Sequence, residues 1–170
     1  MLPSLRDTYK HPGSVTCLDP RCVPEAFFGP DLRGPVYRNA GGRATDDVVR
    51  SLNILRALVH LRIVVVVHHT GTGALDSSCR LFLHPVAYSQ ADCGVTHVTD
   101  DEIRDFAKSK NPAAAADVDK IDFRLWQEEH LEETVREDVR KLREEKSLDG
   151  MEIYGFVLDT QTAVVREVDC

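Results

Sequence analysis

The sequence predicts an α/β fold with a mainly parallel central β-sheet flanked by helices. Three observations carry this expectation. Ile63-Val64-Val65-Val66-Val67 is an unbroken β-branched run, as in a strand buried on both faces of a parallel sheet. Just before it, Val48, Leu52, Leu55 and Val59 recur at helical spacing, so one helix face packs on a core. A shorter strand precedes that helix, and the order strand, helix, strand implies a right-handed crossover.

The elements follow in chain order. Ser14-Val15-Thr16-Cys17 reads as a strand that runs into a Leu-Asp-Pro turn. Pro24 starts a short helix through Phe28. Residues 35–38 read as a second strand, ended by Asn39-Ala40-Gly41-Gly42, where glycine allows close backbone approach or positive φ. Thr45 is a suitable N-cap for the next helix, and Asp46 and Asp47 suit its positive end. Thr99 with Glu102 makes a capping box for a helix through Lys108. Leu131, Val135, Val139 and Leu142 mark another amphipathic helix. The charges over 128–146 read as its solvated face with i,i+4 pairs. Residues 152–158 and 164–168 close the chain as two strands, with a turn at 159–161.

A length of 170 residues suits one domain, and an apolar fraction of 42% is enough for a real core. The net charge of -7 is spread along the chain, which argues against a nucleic-acid partner, whose phosphates need basic residues. No stretch of about 18 apolar residues is present, so no membrane partner is expected. Residues 1–10 lack an apolar secretory core, and the expected location is cytoplasmic. Cysteines stand at Cys17, Cys22, Cys79, Cys93 and Cys170. In a reducing compartment they favour metal binding or burial over disulfides.

Chemistry in parallel sheets collects at the carboxyl ends of strands. Cys17, Asp19 and Arg21 leave the first strand there, 38–42 leave the second, and His68 and His69 leave the third. Catalytic zinc takes three protein ligands and keeps one position for water, and thiolate and imidazole suit it. Arg21 can hold Asp19 ionised. A carboxylate so held can accept a proton from metal-bound water, or orient that water. On the residues alone, Cys17 also reads as a small buried hydrophobe, and Asp19 with Arg21 as a surface ion pair.

Three ordered motifs change that balance. Cys17-x-Asp19-x-Arg21, then Arg38-Asn39-Ala40-Gly41, then Val64 through Val67 with His68-His69-Thr70, resemble the β-class carbonic anhydrases, closest to the small subgroup of about this length. In that family the third block continues as His-Thr-Asp-Cys-Gly. Here Gly71-Thr72-Gly73 follows instead, and Asp92-Cys93-Gly94 comes later, leading into Val95-Thr96-His97. The resemblance covers residues 14–70 and 92–168. It implies one Zn(2+) per chain, held by Cys17, His69 and Cys93, with Asp19 and Arg21 as the catalytic pair. The implied reaction is reversible hydration of carbon dioxide to bicarbonate and a proton, by attack of zinc-bound hydroxide. The partners it implies are this small-molecule substrate and a second copy of the chain, as a homodimer or higher homo-oligomer. Family members usually carry a longer leader, so residues 1–10 read as a truncated or misassigned start.

Residues 1–170 are thus read as one domain with 71–91 as an insertion. The edges of the insertion suit an unspliced intron. The Gly71 codon can be a G followed by a GT donor, and the Ala91 codon with the first base of Asp92 can end on a CAG acceptor. The alternative is a genuine surface insertion, which costs little entropy if its ends stay close. Thr72 stands where the family has its cysteine, but a hydroxyl is a poor zinc ligand beside thiolate, so Cys93 is chosen. Cys79 and His84, inside the insertion, read as incidental.

Other candidates read more plainly. His68 is expected on the opposite side of the strand from His69, in a structural role. Cys22 reads as a buried thiol, His97 as a surface residue, and Arg38 and Asn39 as shaping the loop that lines the pocket. Two alternative functions stay open: a carbonyl sulfide or carbon disulfide hydrolase on the same scaffold, and a catalytically inactive, zinc-poor relative.

Overall fold

Five β-branched residues in a row are stiff at χ1 and apolar on both faces, so they are stable only inside a sheet covered on both sides. The computed structural model describes residues 12–29, 34–70 and 93–170. In it this run becomes β3 (Ile63–His69), buried from Val64 to His69. β1 (Gly13–Cys17) and β4 (Glu152–Leu158) flank it, both parallel to it. β2 (Val36–Asn39) adds parallel to β1, and β5 (Val165–Val168) antiparallel to β4, giving the order β2-β1-β3-β4-β5. The mainly parallel sheet matches the expectation. β5 reverses because its connection is a tight turn, too short for a crossover. In that turn Asp159 Oδ1 accepts the amides of Gln161 and Thr162 at 2.9 and 3.1 Å.

The crossover helix α2 (Asp46–Val59) buries Val48 and Leu52 and half-buries Leu55 and Val59, the four positions its spacing singles out. Thr45 sits at its N-cap, but its side chain does not cap the helix. A short α1 (Pro24–Phe27) follows the first strand as expected. Before α3 (Asp100–Lys110) the capping box forms: Glu102 N donates to Thr99 Oγ1 at 3.2 Å, and Thr99 N donates to Glu102 Oε2 at 2.8 Å. α4 (Ala115–Val118) packs beside α3.

α5 (Leu131–Glu144) lies across β3 and β4 with Leu131, Val135, Val139 and Leu142 buried. Gly155 on β4 permits this approach, since a Cβ there would sit 2.5 Å from Val135 Cγ1 and 3.1 Å from Val139 Cγ2. The expectation that the charges over 128–146 form a solvated face needs one correction. Asp138 is fully buried, and Thr134 is 4% exposed. Asp138 meets His68 Nε2 at 3.1 Å, Arg43 Nε at 2.9 Å and Arg124 Nη2 at 3.2 Å. Thr134 Oγ1 donates to Leu131 O at 2.8 Å and lies 3.0 Å from His68 Nδ1. Trp126 stacks on the His68 ring, 5.9 Å between centroids and 10° from parallel. A buried carboxylate is tolerable only with partners of this kind.

Among the described residues no helix is long and apolar enough to cross a membrane. The segment 71–91 that the sequence reading takes as an insertion, with Thr72, Cys79 and His84, lies outside the described residues, as do residues 1–10 and Asp92.

Candidate metal centre

β1 and β3 are neighbours in register Thr16↔Val67, so their carboxyl ends bring Cys17 and His69 to one rim. Cys93 joins them from a separate segment. Its carbonyl accepts from Thr96 N and from Thr96 Oγ1, both at 2.9 Å, which anchors its backbone just before a 3₁₀ turn at Gly94–His97. The possible ligand atoms of Cys17, His69 and Cys93 all lie within 4.8 Å of one another. The three residues are 5%, 0% and 1% exposed.

The geometry suits a tetrahedral metal. Two Zn–S bonds of about 2.3 Å at a tetrahedral angle put the sulfurs about 3.8 Å apart. Cys17 Sγ and Cys93 Sγ are 3.7 Å apart. His69 Nδ1 lies 3.1 Å from Thr70 O, an acceptor, so Nδ1 carries a hydrogen and Nε2 is the nitrogen left to ligate. Nε2 is buried and makes no hydrogen bond of ordinary geometry. Buried polar atoms are rarely left so, and a metal beside the two sulfurs satisfies this one. Two thiolates and an imidazole are a donor set that suits zinc.

The three groups also trade protons. The Cys93 thiol donates toward Cys17, and this contact outweighs burial; with help from His69 it lowers Cys17 to about 4. The same contact, reinforced by burial, pushes Cys93 up. Burial alone would lower His69, but the sulfurs of Cys17 and Cys22 outweigh it and raise the ring to about 10. A metal bound by both sulfurs as thiolates and by the neutral imidazole must displace the protons these groups hold in its absence. We expect zinc binding at pH 7 to release protons, with affinity falling as the pH falls. Titration calorimetry in buffers of different ionisation enthalpy reads this directly, and an enthalpy independent of buffer would refute it.

Beside the cluster, Asp19 and Arg21 form a closed fork. Arg21 Nε and backbone N donate to Asp19 Oδ1 at 2.9 and 2.8 Å, and Arg21 Nη2 donates to Oδ2 at 2.7 Å. Burial pushes the carboxyl up, but the Arg21 hydrogen bonds outweigh it and hold Asp19 below the usual range. Asp19 turns its oxygens to Arg21 and is not among the clustered ligand atoms.

The loop carrying Asp19 is held from below. Arg38 donates to the carbonyls of Cys17 at 3.4 Å and Asp19 at 3.2 Å, and also to that of Cys22. Arg38 thus shapes the loop through backbone. Asn39 does likewise, donating to Arg43 O at 2.7 Å. Gly42, at φ +71°, runs so close to β1 that a Cβ would sit 3.0 Å from Cys17 N. His68 faces α5, Cys22 is buried, and His97 is exposed on the 3₁₀ turn.

Sequence reasoning missed two sets of residues. Thr134 and Asp138, the partners of His68, sit at helical spacing within the apolar stripe of α5, and that spacing was the available signal. Thr160 is the other. Its hydroxyl donates to Thr70 O at 3.1 Å and lies 3.4 Å from Arg21 Nη1. Nothing in a turn 90 residues downstream of Thr70 announces that contact.

No protein-family model matches the sequence. The chain is 29% identical over 166 residues to Beta-carbonic anhydrase 1 of Mycobacterium tuberculosis, spanning 94% of this chain and 82% of that protein. Over 63 residues it is 40% identical to a carbon disulfide hydrolase of an Acidianus species, 36% of this chain and 30% of that one. Among solved structures it resembles the carbonic anhydrase of Streptococcus mutans, at 31% identity and a TM-score of 0.70, over 94% of this chain and 84% of that one. With the expected mainly parallel sheet and a clustered Cys, His and Cys, the chain belongs to the β-carbonic anhydrase family of enzymes.

Proposed function

We propose that this chain catalyses the reversible hydration of carbon dioxide with one zinc ion held by Cys17, His69 and Cys93. The observation that carries the reading is the ligand cluster itself: a 3.7 Å sulfur pair and an unpartnered buried Nε2, with Asp19 turned away. Three protein ligands with a fourth position left over are the pattern of a catalytic zinc site. When bound there, zinc supplies Lewis acidity that brings the pKa of a water ligand toward neutrality.

The chain's own residues supply the rest. The lowered Asp19 is a weak base, so its task is to accept a hydrogen bond and aim the attacking oxygen. Oδ1 already takes two donors from Arg21, whereas Oδ2 takes one and keeps acceptor capacity. Arg21 keeps Asp19 ionised and fixed. Arg38 holds the loop so that this aim is preset before substrate arrives. We place the enzyme in the cytoplasm, where ligating thiols stay reduced, and as a homodimer or larger homo-oligomer, as the family resemblance implies.

A second reading is favoured by one observation, the likeness to carbon disulfide hydrolase. Carbon dioxide and carbon disulfide are both linear and both attacked at carbon, so the same centre serves either. Stopped-flow carbon dioxide hydration, run beside sulfide release from carbon disulfide, separates them. Carbon dioxide turnover with negligible sulfide release supports the first reading, and the reverse result replaces it with the second.

A further inference from the structure

The carbonyl of Thr70 stands where β3 leaves the sheet. It takes two hydrogen bonds, from His69 Nδ1 and from Thr160 Oγ1, each at 3.1 Å. A carbonyl oxygen has two lone pairs, so both are used. The amide of the same residue donates to Leu158 O at 2.8 Å, which extends the β3–β4 ladder by one rung. Thr160 lies two residues after β4, in the turn whose geometry Asp159 sets through the amides of Gln161 and Thr162. The Thr160 hydroxyl is therefore held by backbone. Its other neighbour, at 3.4 Å, is Arg21 Nη1, on the guanidinium that clamps Asp19.

We propose that Thr160 is a positioning residue for the metal centre: its hydroxyl ties the Thr70 carbonyl that orients His69 to the Arg21 that orients Asp19. The inference rests on the metal-site reading above. One side chain thereby sets the ring direction of a metal-binding histidine and the placement of the neighbouring carboxylate, two parts of the site carried by different strands. Partners that hold a ligating histidine by its far nitrogen typically change metal affinity by about 10–100-fold when removed. Thr160 acts one hydrogen bond further out, so the lower end of that range, about tenfold, is expected. The carbonyl it leaves can still accept from His69 but is free to tilt.

The test uses the full chain and three variants. Thr160→Val keeps the shape and removes the hydroxyl. Thr160→Ser keeps the hydroxyl. Thr162→Val changes the next hydroxyl of the same turn, which accepts from Val164 N at 3.3 Å. Zinc affinity is read by chelator competition, and the ligand field by the visible spectrum of the cobalt(II)-loaded protein. We expect Thr160→Val to bind zinc about tenfold more weakly and to shift the cobalt bands, with both effects restored in Thr160→Ser and absent in Thr162→Val. Thermal unfolding checks that the variants are folded. Affinity and spectrum of Thr160→Val equal to wild type would overturn the proposal, and so would equal losses in Thr160→Ser or Thr162→Val. If the wild-type chain itself binds no metal, the metal-site reading falls as well, and that outcome is distinct from a bound metal indifferent to Thr160.

Discussion

Replacing Cys93 by Ser is expected to abolish stoichiometric zinc while leaving the protein folded. Structural zinc sites yield about 10–16 kcal/mol over four ligands, so one ligand is worth about 3–4 kcal/mol, or roughly 10²–10³-fold in affinity. A serine hydroxyl occupies nearly the same volume but is a poor ligand beside thiolate. Cys93 is buried, and its backbone is held by the Thr96 contacts, which the substitution does not touch. The fold is therefore retained, and elemental analysis reads the metal directly. Thr72→Ala is the companion variant. It should keep its zinc, because Thr72 is the rival only by its position in the motif. Full zinc retention in Cys93→Ser would remove the ligand assignment.

The largest effect on stability is expected from Asp138→Asn. The carboxylate is fully buried and answers Arg43, Arg124 and His68 at once, and Arg43 is itself 5% exposed. Its other carboxylate, Glu137, lies 3.2 Å away and is 44% exposed, so it screens the guanidinium only in part. Removing one partner of a buried ionic network costs about 3–5 kcal/mol. For a domain of this size each kcal/mol is about 2–4 °C in melting temperature, so a fall of roughly 10 °C is expected. The pH dependence has a definite sign. Burial pushes Asp138 up, but His68 and Arg43 outweigh it, and the folded-state pKa lies below the ordinary 3.8. Its contribution is thus present above pH of about 4 and is lost as the pH falls through the folded-state value. The wild-type melting temperature should drop on that limb more steeply than that of the Asn variant. A loss under about 1 kcal/mol at neutral pH would show that the network is not what secures α5.

Much of the fold was legible because it rests on local periodicity. The 63–67 run could only be a covered strand, and the α2 and α5 stripes buried the residues that their spacing named. The Thr99–Glu102 box formed because both halves lie within one turn. Thr45 takes the N-cap position but does not cap through its side chain, which its residue type alone does not reveal. At the site, Cys17, Asp19, Arg21 and His69 were legible because each leaves a strand at the same edge. Cys93 was legible only through the family motif, since 76 residues separate it from Cys17. Asp138 looked like one acid among several on a charged helix. Only its place at helical spacing among Leu131, Val135 and Leu142 distinguishes it, and charge normally overrides that signal. Thr160 carries no local signal, because its partners are chosen by the sheet register that brings β4 beside β3.

The proposed function requires that this chain, with residues 71–91 in place, assemble a working zinc centre from Cys17, His69 and Cys93. One measurement meets it directly: zinc content and stopped-flow carbon dioxide hydration on the full chain, beside a version lacking residues 71–91. About one zinc per chain and carbon dioxide hydration well above the buffer rate are expected in both proteins. A folded full-length chain that holds no zinc, or that holds zinc and does not hydrate carbon dioxide, would contradict it.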